Sequence, residues 1–271
     1  MNISGSEGLV AAGNIFMGMT ESPVLIKNYL PTMNRSEIFL VMVSGMGTIA
    51  GSVMGTYIGM LGGTDPAAKV LFATHLLSAS VMAVPGSIVL AKMLCPQTEE
   101  ATDHVAISGK EKENSNILDA ISSGTVTGVK LMTNIAAMLL VFISLVALAN
   151  YITEGVIGRY TGLNDWIVKI TDGKAQGLTF QFILGVITSP FMWLIGVPSQ
   201  DIMLVGSLLG QKTILNEFVA YFQLQQWKDA GLFMYEKSIL MSTYILCGFA
   251  NISSIGILLG GLGVLARKNE D

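Results

Sequence analysis

Two glutamates stand where a carboxylate is costly. Glu21 lies in Gly18-Met19-Thr20-Glu21-Ser22-Pro23 and Glu217 in Leu215-Asn216-Glu217-Phe218-Val219-Ala220-Tyr221, both among apolar stretches. An ionised side chain in hydrocarbon costs roughly 2.5–3.5 kcal/mol on insertion scales, so such groups sit at the interface or face a cavity or a partner. The neighbours favour a cavity. Asn14 precedes Glu21, Asn216 adjoins Glu217, and Thr48, Asn251 and Ser254 interrupt otherwise apolar runs. Carboxylates and amides supply the acceptors and donors that sugar hydroxyls need. Asn and Thr oxygens, with carbonyls freed at a helix break, suit a hard cation such as Na+. An enzyme is not expected. The histidines, His75 and His104, have no ligand-spaced neighbours, and no nucleophile–base pair stands out. Cys95 and Cys247 are far apart and read as free thiols.

The elements that position these groups follow from composition. Charged residues are 13% of the 271, against about a quarter in soluble domains, and the mean hydropathy is +0.60. A net charge of −4 argues against nucleic acid as a partner and the hydropathy argues for a lipid bilayer. Residues 38–64, 131–153, 175–200 and 238–266 carry no charge, and 70–94 is interrupted only by His75 and Lys92. Each run reaches the roughly 20 residues that a helix needs to cross hydrocarbon. None alternates as a barrel strand would, so the chain is all-α.

Some runs are broken. Ser189-Pro190, Val197-Pro198 and Asp201 interrupt the segment leading into 202–210, and Glu21-Ser22-Pro23 divides 8–30. Proline removes a helix donor, so both regions are predicted to be re-entrant hairpins, where transporters place substrate and ions. Residues 118–130 and 223–237 are predicted to lie along the interface. Met46-Gly47-Thr48-Ile49-Ala50-Gly51 can be laid on Phe249-Ala250-Asn251-Ile252-Ser253-Ser254, each after a glutamate-bearing broken piece. Such patches serve either plain helix packing or an inverted repeat with unwound helices. The expected fold is an all-α integral membrane protein: an inverted-repeat transporter core with two re-entrant helical hairpins and several transmembrane helices. Residues 1–94 form the first half-repeat, the second arm of hairpin one with two membrane helices. Residues 95–117 form a polar loop, 118–174 a long membrane helix and interfacial segment, and 175–271 the second half-repeat.

Four stretches resemble the concentrative nucleoside transporter family. They are Gly13-Asn14-Ile15-Phe16-Met17-Gly18-Met19-Thr20-Glu21, Thr48-Ile49-Ala50-Gly51-Ser52-Val53, the piece ending Asn216-Glu217-Phe218-Val219-Ala220-Tyr221, and Cys247-Gly248-Phe249-Ala250-Asn251-Ile252-Ser253-Ser254. The resemblance implies a homotrimeric Na+/nucleoside symporter of the plasma membrane (the inner membrane in a bacterium), with H+ replacing Na+ in some members. It implies nucleobase contacts at Met19, Thr20 and Glu21, ribose contacts at Glu217, Asn251 and Ser254, and an apolar wall at Phe249. It assigns Na+ to the side chains of Asn14 and Thr48 and the carbonyls of Met17 and Ile49. Met19 departs from the family's glutamine, which leaves base preference open. The family carries further helices on both sides, so the chain reads as a transport core truncated at both ends. The expected mechanism is alternating access: the cation organises the first hairpin and the nucleoside bridges the two. The alternatives are a non-transporting membrane remnant and a symporter for another polar solute.

Overall fold

A computed structural model describes residues 3–27, 29–98, 116–171, 173, 175–252, 254–255 and 257–258. Most of the loop expected at 95–117, and the end of the run expected at 238–266, lie outside the described residues. The described chain is helical. Its helices are α1 (Gly5–Gly13), α2 (Arg35–Gly47), α3 (Gly51–Gly62), α4 (Pro66–Leu94), α5 (Ile117–Asn150), α6 (Arg159–Thr161), α7 (Leu163–Ile170), α8 (Phe180–Leu194), α9 (Ile202–Ile214), α10 (Glu217–Asp229) and α11 (Glu236–Leu246). A π-helical stretch, Tyr151–Gly158, joins α5 to α6, and 3-10 turns at Ser22–Ile26 and Leu30–Thr32 separate α1 from α2. Arg35–Gly62 and Pro66–Leu94 are long and apolar enough to cross a membrane.

The chain divides into two compact units. One comprises residues 1–104 and 183–271, the other 105–182. The second holds α5, the π-helical stretch, α6 and α7. Within it, Asn164 bonds the Glu154 carbonyl (3.0 Å) and the Leu178 amide (2.9 Å), and Asn150 accepts from the Phe180 amide (2.7 Å). These amides close the chain ends that follow α5 and α7. Residues 118–130 are part of the single helix α5. Residues 223–237 divide between the end of α10, a turn and the start of α11.

The first unit carries the polar groups. Its main core gathers Ile49, Tyr57, Leu61, Phe72, Leu76, Leu208, Tyr221, Leu224 and Leu246 from around α3, α4, α9, α10 and α11. Val10, Ile26, Leu30 and Val41 seat α1 and the 3-10 turns on α2. The outer residues of α4, including Val70, Leu77, Val81, Val89 and Leu90, are exposed, as suits a helix with lipid for solvent.

Two expectations about the hairpins need correction. Pro190 does not break its helix: α8 runs through it to Leu194. The hydroxyls of Thr188 and Ser189 bond the carbonyls of Leu184 (2.9 Å) and Gly185 (2.6 Å) in the turn before it. The chain turns later, around Gly196 (φ +83°) and Pro198. Glu217 lies beyond that turn, at the tip between α9 and α10. In the first hairpin, α1 stands before the Glu21 turn and the 3-10 turns stand after it, where a single second arm was expected.

Candidate functional site

Asn14 ends α1 as its C-cap and is fully buried. Its Nδ2 donates to Ser44 Oγ (3.0 Å), and its Oδ1 accepts from Ser22 Oγ (2.5 Å). Thr48 caps the end of α2, and its Oγ1 donates to the Ser44 carbonyl (3.3 Å). Asn14 and Thr48, distant in sequence, therefore meet at Ser44. The Gly51 amide donates to the Phe16 carbonyl (2.9 Å), which ties the hairpin loop to the first residue of α3. Among the described residues, no backbone N–H bonds the Met17 or Ile49 carbonyl. No group of three His, Cys, Asp or Glu side chains assembles among them either. The predicted set of Asn14, Met17, Thr48 and Ile49 thus lies on elements that the structure bonds to one another.

Further round the same loop, the Gly18 amide donates to Glu21 Oε2 (2.8 Å). Thr20 and Glu21 are exposed and Met19 is buried. Met19 packs on α2: a Cβ on Gly45 would come within 3.1 Å of its own Cβ. A side chain at position 45 would need Met19 to give by a few tenths of an ångström.

The second cluster starts from a helix cap. Asn216 Oδ1 accepts from the Val219 amide (2.9 Å) and opens α10, placing Glu217 at its first residue. The positive end of the helix dipole favours a carboxylate at that position. Glu217 is buried, and Asn251 Nδ2 donates to its Oε2 (3.0 Å). Asn251 Oδ1 accepts from the Ser254 amide (2.8 Å), which caps the helix resuming at Ile252. Glu217, Asn251 and Ser254 therefore form one buried group.

The two clusters join where α2–α3 and α11 are interrupted. α2 and α3 are separated by residues 48–50, and α11 stops before 247–251. The Phe249 amide donates to the Thr48 carbonyl (3.3 Å) across these breaks. Gly248 has φ +142°, and a Cβ there would lie 2.9 Å from the Met46 carbonyl oxygen and 3.0 Å from that of Gly47. Only glycine permits both the backbone angle and the approach.

Sequence reasoning missed several participants. Ser22 and Ser44 bridge the first cluster, and the Lys212 ammonium, buried on α9, donates to the Ile245 carbonyl (2.9 Å) in the last turn of α11. Tyr57 and Tyr221 stack with ring centroids 4.1 Å apart. Tyr221 stands four residues after Glu217, on the same helix face, a spacing that could have drawn attention to it. Lys212 had a signal too, as a lysine in an apolar helix.

Residues 75–271 match the family model described as "Na+ dependent nucleoside transporter C-terminus". An uncharacterized transporter of Haemophilus influenzae is 39% identical over 100% of this chain and 60% of its own length. The sodium/nucleoside cotransporter 2 of Rattus norvegicus is 38% identical over 100% of this chain and 40% of its own. The chain thus spans less than two thirds of these relatives. The solved structure of CNTnw in an inward-facing substrate-bound state is similar over 97% of this chain and 58% of that one, with 36% identity and a TM-score of 0.77. A variant of CNTnw in an outward-facing state gives a TM-score of 0.80 at 35% identity, over 96% of this chain and 58% of that one.

Proposed function

Because this chain belongs to the family of Na+-dependent nucleoside transporters, we propose that it forms the binding core of a symporter that moves nucleosides with Na+ by alternating access. The observation that carries the reading is the buried Glu217–Asn251 pair at the break of α11. A carboxylate and an amide held together away from lipid match the donors and acceptors of a ribose. Asn251 and Ser254 share that role, and Phe249 supplies an apolar wall. Met19, Thr20 and Glu21, on the other hairpin, take the base. Met19 offers only a weak thioether acceptor.

Na+ is assigned to the Asn14 and Thr48 side chains and the Met17 and Ile49 carbonyls. The neutral oxygens of Asn14 and Thr48 coordinate an ion but do not titrate, which favours Na+ over H+. Alternating access is supported by the outward- and inward-facing states solved for CNTnw. The multi-pass membrane protein is placed by this reading in the plasma membrane, as part of a homotrimer.

The test is uptake of labelled uridine and adenosine into vesicles carrying the protein, with binding to purified protein measured alongside. An inward Na+ gradient is expected to drive uptake, and Na+ is expected to strengthen binding. Uptake that follows a pH gradient and ignores Na+ would reject the assigned ion. Binding without uptake would leave this chain the binding step alone.

A further inference from the structure

We propose that Tyr57 is a positioning residue for Glu217, its hydroxyl completing the hydrogen bonding of the carboxylate when a sugar is held there. The proposal rests on the nucleoside reading of the Glu217 site. Tyr57 lies on α3, in the first half of the unit, and is fully buried. Its ring stacks on Tyr221 at 4.1 Å with an interplanar angle of 23°, and leans on Phe218 at 6.0 Å. Both partners stand on α10 within four residues after Glu217.

The two tyrosines differ in what their hydroxyls do. The Tyr221 hydroxyl donates to the Thr243 carbonyl (2.8 Å). The Tyr57 hydroxyl is buried without a hydrogen-bond partner among the described residues, and its ring lies against the part of α10 that carries Glu217. The other buried side-chain atoms without one, Asn34 Nδ2 and Ser238 Oγ, sit at the starts of α2 and α11. A buried donor left unpaired is costly, and in a native protein it calls for an explanation. Asn251 donates to Glu217 Oε2, and Oε1 has acceptor capacity to spare. A tyrosine stacked rigidly beside it can turn its O–H to that oxygen and fix the direction from which a sugar hydroxyl must approach. Because α3 and α10 belong to different halves of the unit, the bond would form only when the halves are correctly apposed.

Tyr57→Phe removes the hydroxyl and keeps the ring stack. Binding of uridine and of 2′,3′-dideoxyuridine to full-chain protein in nanodiscs, at saturating Na+, reads the effect. Losing a hydrogen bond to a charged group should weaken uridine by about tenfold to a hundredfold, while the dideoxy analogue binds both proteins alike. The carboxylate stretching band of Glu217, identified with Glu217→Gln, should also shift between uridine-bound parent and variant. Equal affinities for uridine, or an equal loss for both ligands, overturns the proposal, as does an unmoved band. Failure of the parent protein to bind any nucleoside overturns the site reading and this inference with it. Binding by the parent with an unaltered Tyr57→Phe profile rejects the inference alone.

Discussion

At the scale of single residues, the site is a set of amides and hydroxyls whose second partners matter as much as the groups themselves. Asn14 is aligned by Ser22 on one side and Ser44 on the other, and Thr48 leans on the Ser44 backbone. Ser44→Ala removes the acceptor of Asn14 Nδ2 and leaves that buried donor unpaired. One such bond is worth about 1 kcal/mol, so half-saturation by Na+ is expected to rise roughly fivefold with little change in nucleoside affinity at saturating Na+. A Na+ titration of uridine binding checks this; an unchanged half-saturation removes Ser44 from the cation's support. Met19 gives a second prediction. Its side chain is buried against Gly45, and glutamine has nearly the same length, so Met19→Gln should fit. It should change the ranking of purine against pyrimidine nucleosides in competition uptake, and identical rankings would remove position 19 from base recognition. Asn14, Glu21 and Glu217 were legible in the sequence because polar groups stand out in apolar runs. Ser44 was not, because a serine in such a helix can simply bond its own backbone, as Ser44 also does to the Val41 carbonyl (3.1 Å).

At the scale of elements, helix ends do most of the positioning. Asn216 sets where α10 starts, Asn251 where the last described helix resumes, and the buried Asp201 accepts from the Met234 (3.0 Å) and Tyr235 (3.1 Å) amides ahead of α11. The first hairpin is anchored by charge. Lys92 near the end of α4 meets the fully buried Glu7 of α1 at 2.6 Å and also donates to Ser36 Oγ on α2 (3.1 Å). Breaking a buried pair by removing one partner costs about 3–5 kcal/mol, because the other charge is left uncompensated. Lys92→Met should therefore lower the thermal midpoint strongly, and adding Glu7→Gln should restore much of it. If the single variant is as stable as the double, the pair is not what anchors α1. The break in α2–α3 could be foreseen from small polar residues at 46–51, whereas Pro190 misled. Proline marks a missing donor, but α8 runs through it with Leu184 and Met192 buried on either side, packing that no spacing rule expresses. Asp201 read as a charge ending a run; its role depends on Met234 and Tyr235, which only the fold brings near.

At the scale of the whole molecule, cation and nucleoside are coupled if one structural part serves both, and Thr48 is such a part. Its hydroxyl belongs to the cluster around Asn14, while its carbonyl accepts from the Phe249 amide beside the Glu217–Asn251 pair. Ordering of residues 48–50 by a cation would therefore also set Phe249 and the turn that carries Asn251. Conversely, a nucleoside that fixes Asn251 would steady the Thr48 oxygen. Coupling of this kind is reciprocal and typically reaches about 5–150-fold. Saturating Na+ is expected to lower the Kd of uridine by some factor in that range, and saturating uridine to lower the Kd of Na+ by the same factor. Equilibrium binding by calorimetry, with each ligand titrated in the presence and absence of the other, measures both. A factor of one in both directions would mean that the contact between the breaks carries no coupling. A factor above one that is lost in the Ser44→Ala protein at saturating Na+ would place the coupling in the Asn14–Ser44 bond and not in the Thr48–Phe249 contact.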